Sequence, residues 1–283
     1  MNVQDMLQTL DSYFRNNQVD QVEPFLLDHL NQAFASHDYG AALTVLNELM
    51  GFYRGMSRFS EAVAVAQRAL GLLESLGYKG SVPYATTLLN AATAYRADGQ
   101  TARAITAYEE VMAIYTANHA APYQMASLFN NMSLAYQEQG DHAQATTCLE
   151  RALPLVQSVA GSEAEVAVTH TNLAVSRIKG GQFDAARADL LRAVELFESQ
   201  ADRNPHYGAA LSALGEVAFR QGDAAQAVDY YQRALSAIEA HYGKNMYYAV
   251  TLESLAVVLE DTDAARSQTL MAEAQGIQSA LRG

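Results

Sequence analysis

Apolar residues recur along this chain at helical spacing, and the pattern itself repeats. Ala62, Ala104, Ala145, Ala186 and Ala227 lie 42, 41, 41 and 41 residues apart, and each opens a similar stretch of apolar, helix-forming sequence. Five residues before four of them stands a glycine: Gly99, Gly140, Gly181 and Gly222. Glycine takes the left-handed conformation that ends a helix without a Cβ clash, so these positions read as helix terminators. Seven residues beyond the alanines are Ala69, Ala152, Ala193 and Ala234, with Val111 as the exception. Small side chains seven apart share one face and let two helices approach closely. The predicted unit is helix, tight turn, helix. A period of about 40 residues means a stack of such pairs, because no unit can bury its apolar face alone.

The pattern places helix pairs at 40–77, 81–119, 123–160, 164–200, 205–242 and 246–281, joined by segments with turn chemistry: GYKGSVP, NHAAP, AGSEA, ADRNP and YGKN. Before them, Val3, Met6, Leu7, Leu10, Tyr13 and Phe14 form one stripe, and Val22, Phe25, Leu26, Leu30, Ala33 and Phe34 another. The expected organisation is one continuous domain over 1–283. Residues 1–39 form an atypical capping pair, 40–242 five clear repeats, and 246–281 a degenerate cap. Between Leu259 and Ala265 the loop EDTDA is about three residues shorter than its counterparts and lacks the glycine, which predicts a tight or distorted last turn. Tyr53, Tyr95 and Tyr136 precede their turns, where the later units have Arg177 and Ala218. A tyrosine column beside small residues reads as core.

Half of the residues are apolar, which suits an ample helical core. The net charge is −13, from 31 acidic and 18 basic residues, so binding to a phosphate backbone would oppose the chain's own field. Cys148 stands alone, which excludes an internal disulfide and reads as a small core residue rather than a reactive thiol. The amino terminus has no signal-peptide pattern, and no apolar run is long enough to span a membrane. The expectation is a cytoplasmic protein with no nucleic-acid or membrane partner. The seven histidines, His29, His37, His119, His142, His170, His206 and His241, lack metal-ligand spacing and read as single surface residues. Phosphate-loop, dinucleotide and nucleophile-elbow motifs are missing, and Gly243-Lys244 has no serine or threonine after it. Neither catalytic residues nor cofactor are expected.

The runs LLNAATAYRADGQTARAITAYEEVMAIY and LFNNMSLAYQEQGDHAQATTCLERAL resemble the tetratricopeptide repeat, with its aromatic before the turn, its glycine and its paired alanines. HEAT and armadillo arrays have a compatible period but not this glycine and alanine spacing. The lengthened units, with a tyrosine near the start of the first helix (Tyr84, Tyr207, Tyr248), are similar to the repeats of kinesin light chains and related bacterial proteins. The resemblance implies an all-α, right-handed α-α superhelix of about seven antiparallel pairs. It also implies a protein-interaction scaffold, with the first helix of each pair lining a concave groove.

At the groove-facing point of successive first helices stand Asn47, Asn90, Asn130 with Asn131, and Asn172, followed by Ser212 and Ser254. An asparagine amide can pair with both N–H and C=O of an extended peptide, so the column reads as a backbone clamp for a peptide or protein segment. The repeats this chain resembles use asparagines in that way. Equally open is that each asparagine bonds the neighbouring pair and orders the stack. Near the same face, Arg54, Arg96, Lys179 and Arg220 balance Glu48, Glu138, Glu216 and Glu253, so no ligand charge is specified. Where the chaperone-tail members of the family grip a terminal carboxylate, this chain has Asn47, Glu48 and Val168, which argues against such a tail. Alternative expectations are a regulator switched by a signalling peptide, and a homodimer through terminal residues Leu270, Met271, Ile277 and Leu281.

Overall fold

The computed structural model describes residues 2–16, 18–200, 204 and 206–282, and falls into two compact units, 1–139 and 140–283. The first unit contains α1 (Val3–Arg15), α2 (Val19–Ala35), α3 (Tyr39–Gly55), α4 (Phe59–Ser75), α5 (Val82–Ala97), α6 (Thr101–Ala117) and α7 (Pro122–Glu138). The second contains α8 (His142–Gln157), α9 (Glu163–Lys179), α10 (Phe183–Glu198), α11 (Tyr207–Arg220), α12 (Ala224–Tyr242), α13 (Met246–Leu259) and α14 (Ala264–Arg282). Among the described residues every regular element is a helix. The fold class is all-α, as the periodicity predicts. The predicted segment 201–205 lies outside the described residues except for Asn204.

Local chemistry sets the helix ends. Asp38, Ser81, Asp141, Asp223 and Asn245 each accept a hydrogen bond from a backbone N–H of the first turn that has no partner within the helix. At the other end the chain reverses through a left-handed residue, with φ of 77° at Gly99, 73° at Gly181 and 84° at Gly222. The next residue then bonds back across the turn: Gln100 N to Tyr95 O at 2.8 Å, Gln182 N to Arg177 O at 2.8 Å and Asp223 N to Ala218 O at 2.9 Å. The α3–α4 turn makes the same bond, Arg58 N to Tyr53 O at 2.8 Å, but its left-handed residue is Ser57, at φ 57°.

Each helix packs on the next within its unit. First helices also pack on the first helices that follow: α3 on α5 and α5 on α7 in one unit, α9 on α11 and α11 on α13 in the other. The five periodic alanines are 0% exposed, as are Ala69, Val111, Ala152, Ala193 and Ala234. The repeat therefore marks the positions where helices come closest. Between α11 and α12 the approach is tighter still: a Cβ on Gly208 would meet Ile238 Cγ1 at 2.6 Å, and one on Gly215 would meet the Tyr231 ring at 2.9 Å.

The first pair, α1–α2, buries Met6, Leu10, Val22, Leu26, Leu30 and Ala33, while Phe14 stays exposed. In α14, Leu270, Met271 and Ile277 are half-buried and Leu281 is exposed.

Three sequence expectations need correction or detail. The last turn is not a shortened loop. Four residues, 260–263, link α13 to α14, against the three, 221–223, that link α11 to α12, and α11 and α13 have 14 residues each. The chain turns there without a left-handed residue, through Asp263 N to Leu259 O at 2.8 Å, and Asp263 then caps α14. His170 is not a surface histidine: it is 9% exposed, and its Nδ1 lies 3.0 Å from Asp189 Oδ1. Tyr53 and Tyr95 are core residues, whereas Tyr136 is half-buried. Cys148 is buried, which pushes its thiol up to about 11 and removes the thiolate that reactivity needs.

Candidate interaction surface

All eleven groove residues read from the sequence lie on first helices. Asn47 and Arg54 are on α3, Asn90 and Arg96 on α5, Asn130 and Asn131 on α7. Asn172 and Lys179 are on α9, Ser212 and Arg220 on α11, and Ser254 on α13. This follows from the period, since a 41- or 42-residue step returns to the same helix and nearly the same face.

In the first unit the structure brings part of the column together. Asn47 Nδ2 donates to Leu43 O one turn back at 2.9 Å, and Asn90 Nδ2 donates to Asn47 Oδ1 at 2.9 Å, linking α5 to α3. Asn130 and Asn131 turn their amides onto their own helix, Nδ2 donating to Ala126 O at 3.1 Å and to Ser127 O at 2.9 Å. Thr93 Oγ1 on α5 lies 3.5 Å from Asn131 Oδ1 and 3.2 Å from the Tyr108 hydroxyl. Each such bond contributes on the order of 1 kcal/mol.

Arginines border this ladder. Arg96 is 20% exposed and ion-paired to Glu138 on α7. Arg54 makes no hydrogen bond or ion pair, and its Nε is buried without a partner. Burial pushes its guanidinium below the ordinary value; the Tyr108 phenol works against that shift and the like charge of Arg96 adds to it.

In the second unit the same face changes character. Asn172 stands half-buried in mid α9 and Lys179 is exposed at its end. Arg220 is exposed, 3.7 Å from Glu216 one turn earlier. Ser212 Oγ lies 3.4 Å from Thr251 Oγ1 across α11 and α13, and Ser254 Oγ donates to Val250 O at 3.0 Å. Around these serines opens a groove of about 550 Å³ walled by Ala209, Ala213, Met246, Tyr247 and Val250, with Glu216 at its edge. Tyr231 is also in the wall, its phenol pushed up to about 12 by burial. Tyr247 is 73% exposed, and Met246 and Val250 are exposed beside it. Sequence reasoning picked the serines and missed these apolar neighbours. The signal was present, because α13 is apolar on nearly every side and a helix of that kind has a second apolar face to cover.

Arg177, where the first unit has tyrosines, joins a buried polar cluster. Asp189 on α10 is 8% exposed; it accepts from Arg177 and lies against His170, and Arg177 Nη2 reaches Glu150 Oε1 on α8 at 3.0 Å. The cluster ties α8, α9 and α10 together. Among the described residues the bonded partner of His170 is the Asp189 carboxylate. Among the described residues no three His, Cys, Asp or Glu side chains gather as a metal site, and no helix is long and apolar enough to cross a membrane.

Comparison with known proteins agrees with this architecture. A tetratricopeptide repeat model matches residues 41–117 and 124–199, and a second such model matches 171–241. The fold is similar to that of BtubC (BKLC) from P. vanneervenii, at TM-score 0.66 and 19% identity over 81% of this chain and 92% of that one. It is also similar to the nearly identical TPR-like repeats of a kinesin light chain type from Podosopora anserina, at TM-score 0.58 and 20% identity over 71% and 96%. NprR, solved in complex with its cognate peptide NprX, matches at TM-score 0.66 and 15% identity over 97% and 77%. No curated protein sequence matches the chain.

Proposed function

The chain belongs to the tetratricopeptide repeat family, and from that premise we propose that it is a protein-interaction scaffold holding a peptide or protein segment against its first-helix faces. The observation that carries the proposal is the open apolar groove between α11 and α13. Exposed Met246, Tyr247 and Val250 form a contiguous patch beside hydroxyls that can pair with peptide backbone, and such patches mark binding surfaces. That NprR is solved with a peptide supports the reading. A binding role, not catalysis, and a cytoplasmic location with a protein or peptide partner belong to the same proposal.

The test uses the full chain and a pool of end-capped octapeptides carrying a central leucine or phenylalanine. The wild type should retain the pool. Tyr247→Ser with Val250→Ser, both at exposed positions, should lose retention and keep the unfolding temperature. Equal retention by the two proteins would count against the groove as the binding surface.

A further inference from the structure

In residues 1–139 the first helices α3, α5 and α7 pack on one another in turn, whereas α1 packs on α2 and leaves a slot of about 360 Å³ between itself and α3. Leu10 and Phe14 of α1 wall the slot on one side, and Phe52 and Met56 of α3 on the other. Phe14 is 48% exposed and Met56 47%, so large apolar side chains face open space there. The floor along α3 is Gly51 and Gly55, one helical turn apart. A Cβ on either would meet nothing within 4 Å. Packing inside the protein therefore does not require these glycines, although glycine within a helix weakens it relative to alanine.

One carboxylate lines the slot. Glu48 is half-buried and, among the described residues, has no hydrogen bond or ion pair. Burial pushes its carboxyl above the ordinary value, and the like charge of Asp11 on α1 adds to the shift. The nearby cations are engaged elsewhere. Arg15 lies 3.8 Å from Asp11, and Arg58 holds Glu23 of α2. Arg54 follows Glu48 by six residues, about a third of the way round the helix, on the side where Arg96 of α5 and Tyr108 of α6 act on it. Glu48 is the charge left over in the slot.

We propose that the slot between α1 and α3 binds a partner segment in which a lysine or arginine adjoins an aliphatic side chain. The aliphatic group fills the space over Gly51 and Gly55, and the cation pairs with Glu48. The charges select this occupant. The net charge of −13 draws a basic segment in, whereas a neutral or acidic one would bury Glu48 further without a counter-charge. An isologous contact with a second copy would set like charges together. The inference rests on the reading of the chain as a scaffold for protein segments, and it adds a site in the other unit from the α11–α13 groove.

The test exposes the immobilised full chain to three pools of end-capped octapeptides with central Leu-Lys, Leu-Gln or Leu-Glu. Wild type should retain the Leu-Lys pool about tenfold more than the other two, the size of a charge-assisted hydrogen bond. Glu48→Gln should abolish that preference, and Glu109→Gln, which removes an equal charge from an exposed position on α6, should keep it. Glu48→Gln should also leave the unfolding temperature unchanged or raise it, because it removes an unpaired carboxylate. A fall of several degrees would mean that Glu48 serves the fold, and the proposal fails. Gly51→Leu should fill the slot, lose the Leu-Lys pool and hold its unfolding temperature; undiminished retention, or a temperature drop showing that the slot has no room, overturns the site. Tyr247→Ser with Val250→Ser should keep the Leu-Lys pool. Loss there would put the basic peptides in the α11–α13 groove and overturn this site alone. A concentration-dependent dimer that Gly51→Leu abolishes would assign the slot to a second copy and overturn it likewise. Equal retention of the three pools overturns the site while peptide capture stands, and failure to retain these pools or the apolar pool overturns both.

Discussion

The two units use one helix-pair plan and present different first-helix faces. In residues 1–139 the face is polar: Asn90 bonds Asn47, Thr93 approaches Asn131 and Tyr108, and arginines stand alongside. In residues 140–283 the equivalent positions run from Asn172 to Ser212 and Ser254, and the surface around the two serines is alanine, valine, methionine and tyrosine. Before the turn the difference runs the other way. The first unit has Tyr53 and Tyr95 in its core, and the second has Arg177 held by Asp189. The contrast shows what the repeat constrains. Positions between helices must be small or must match in shape, because packing there is close, whereas face positions meet solvent or a partner and are free to diverge.

Three measurements would break or sharpen this contrast, and the largest effect belongs to the buried charges. Asp189→Ala leaves Arg177 and His170 without their shared carboxylate and should lower unfolding free energy by about 3 kcal/mol. In the first unit, Tyr95→Phe removes a hydroxyl that makes no hydrogen bond and should change stability by less than about 1 kcal/mol. Denaturant unfolding of both variants checks the pair, and similar losses would mean that the two positions are equivalent after all.

The interior should show the opposite result, with the units alike. Ala104→Leu and Ala186→Leu each force a side chain into a fully buried contact and should each lose about 1–3 kcal/mol. A neutral result in either unit would separate their packing. The smallest effect concerns the turns. Ser57 holds a left-handed conformation that glycine holds at Gly99, so Ser57→Gly should gain about 0.5–1 kcal/mol and Gly99→Ser should lose a similar amount, read from melting temperatures.

Much of this was legible in the residues. The alanine and glycine spacing located the helix pairs, and all eleven groove residues fell on first helices, because a repeated period carries helix and face together. The apolar groove at Tyr247 was harder to see, since side chains of an all-round apolar helix do not announce which face lies against a neighbour. His170 was misread for a similar reason. Its partner Asp189 is 19 residues away on another helix, and no local spacing links them.

By itself the sequence determined the helix pairs, their turns and their closest contacts, because these follow from backbone rules that act within a few residues: capping, the left-handed turn and the period of small side chains. Only the tertiary structure decided which polar groups are satisfied. Whether Asn47 is bonded, Asp189 shared or Arg54 left alone depends on what adjacent helices bring within about 3 Å, the range over which a hydrogen bond forms.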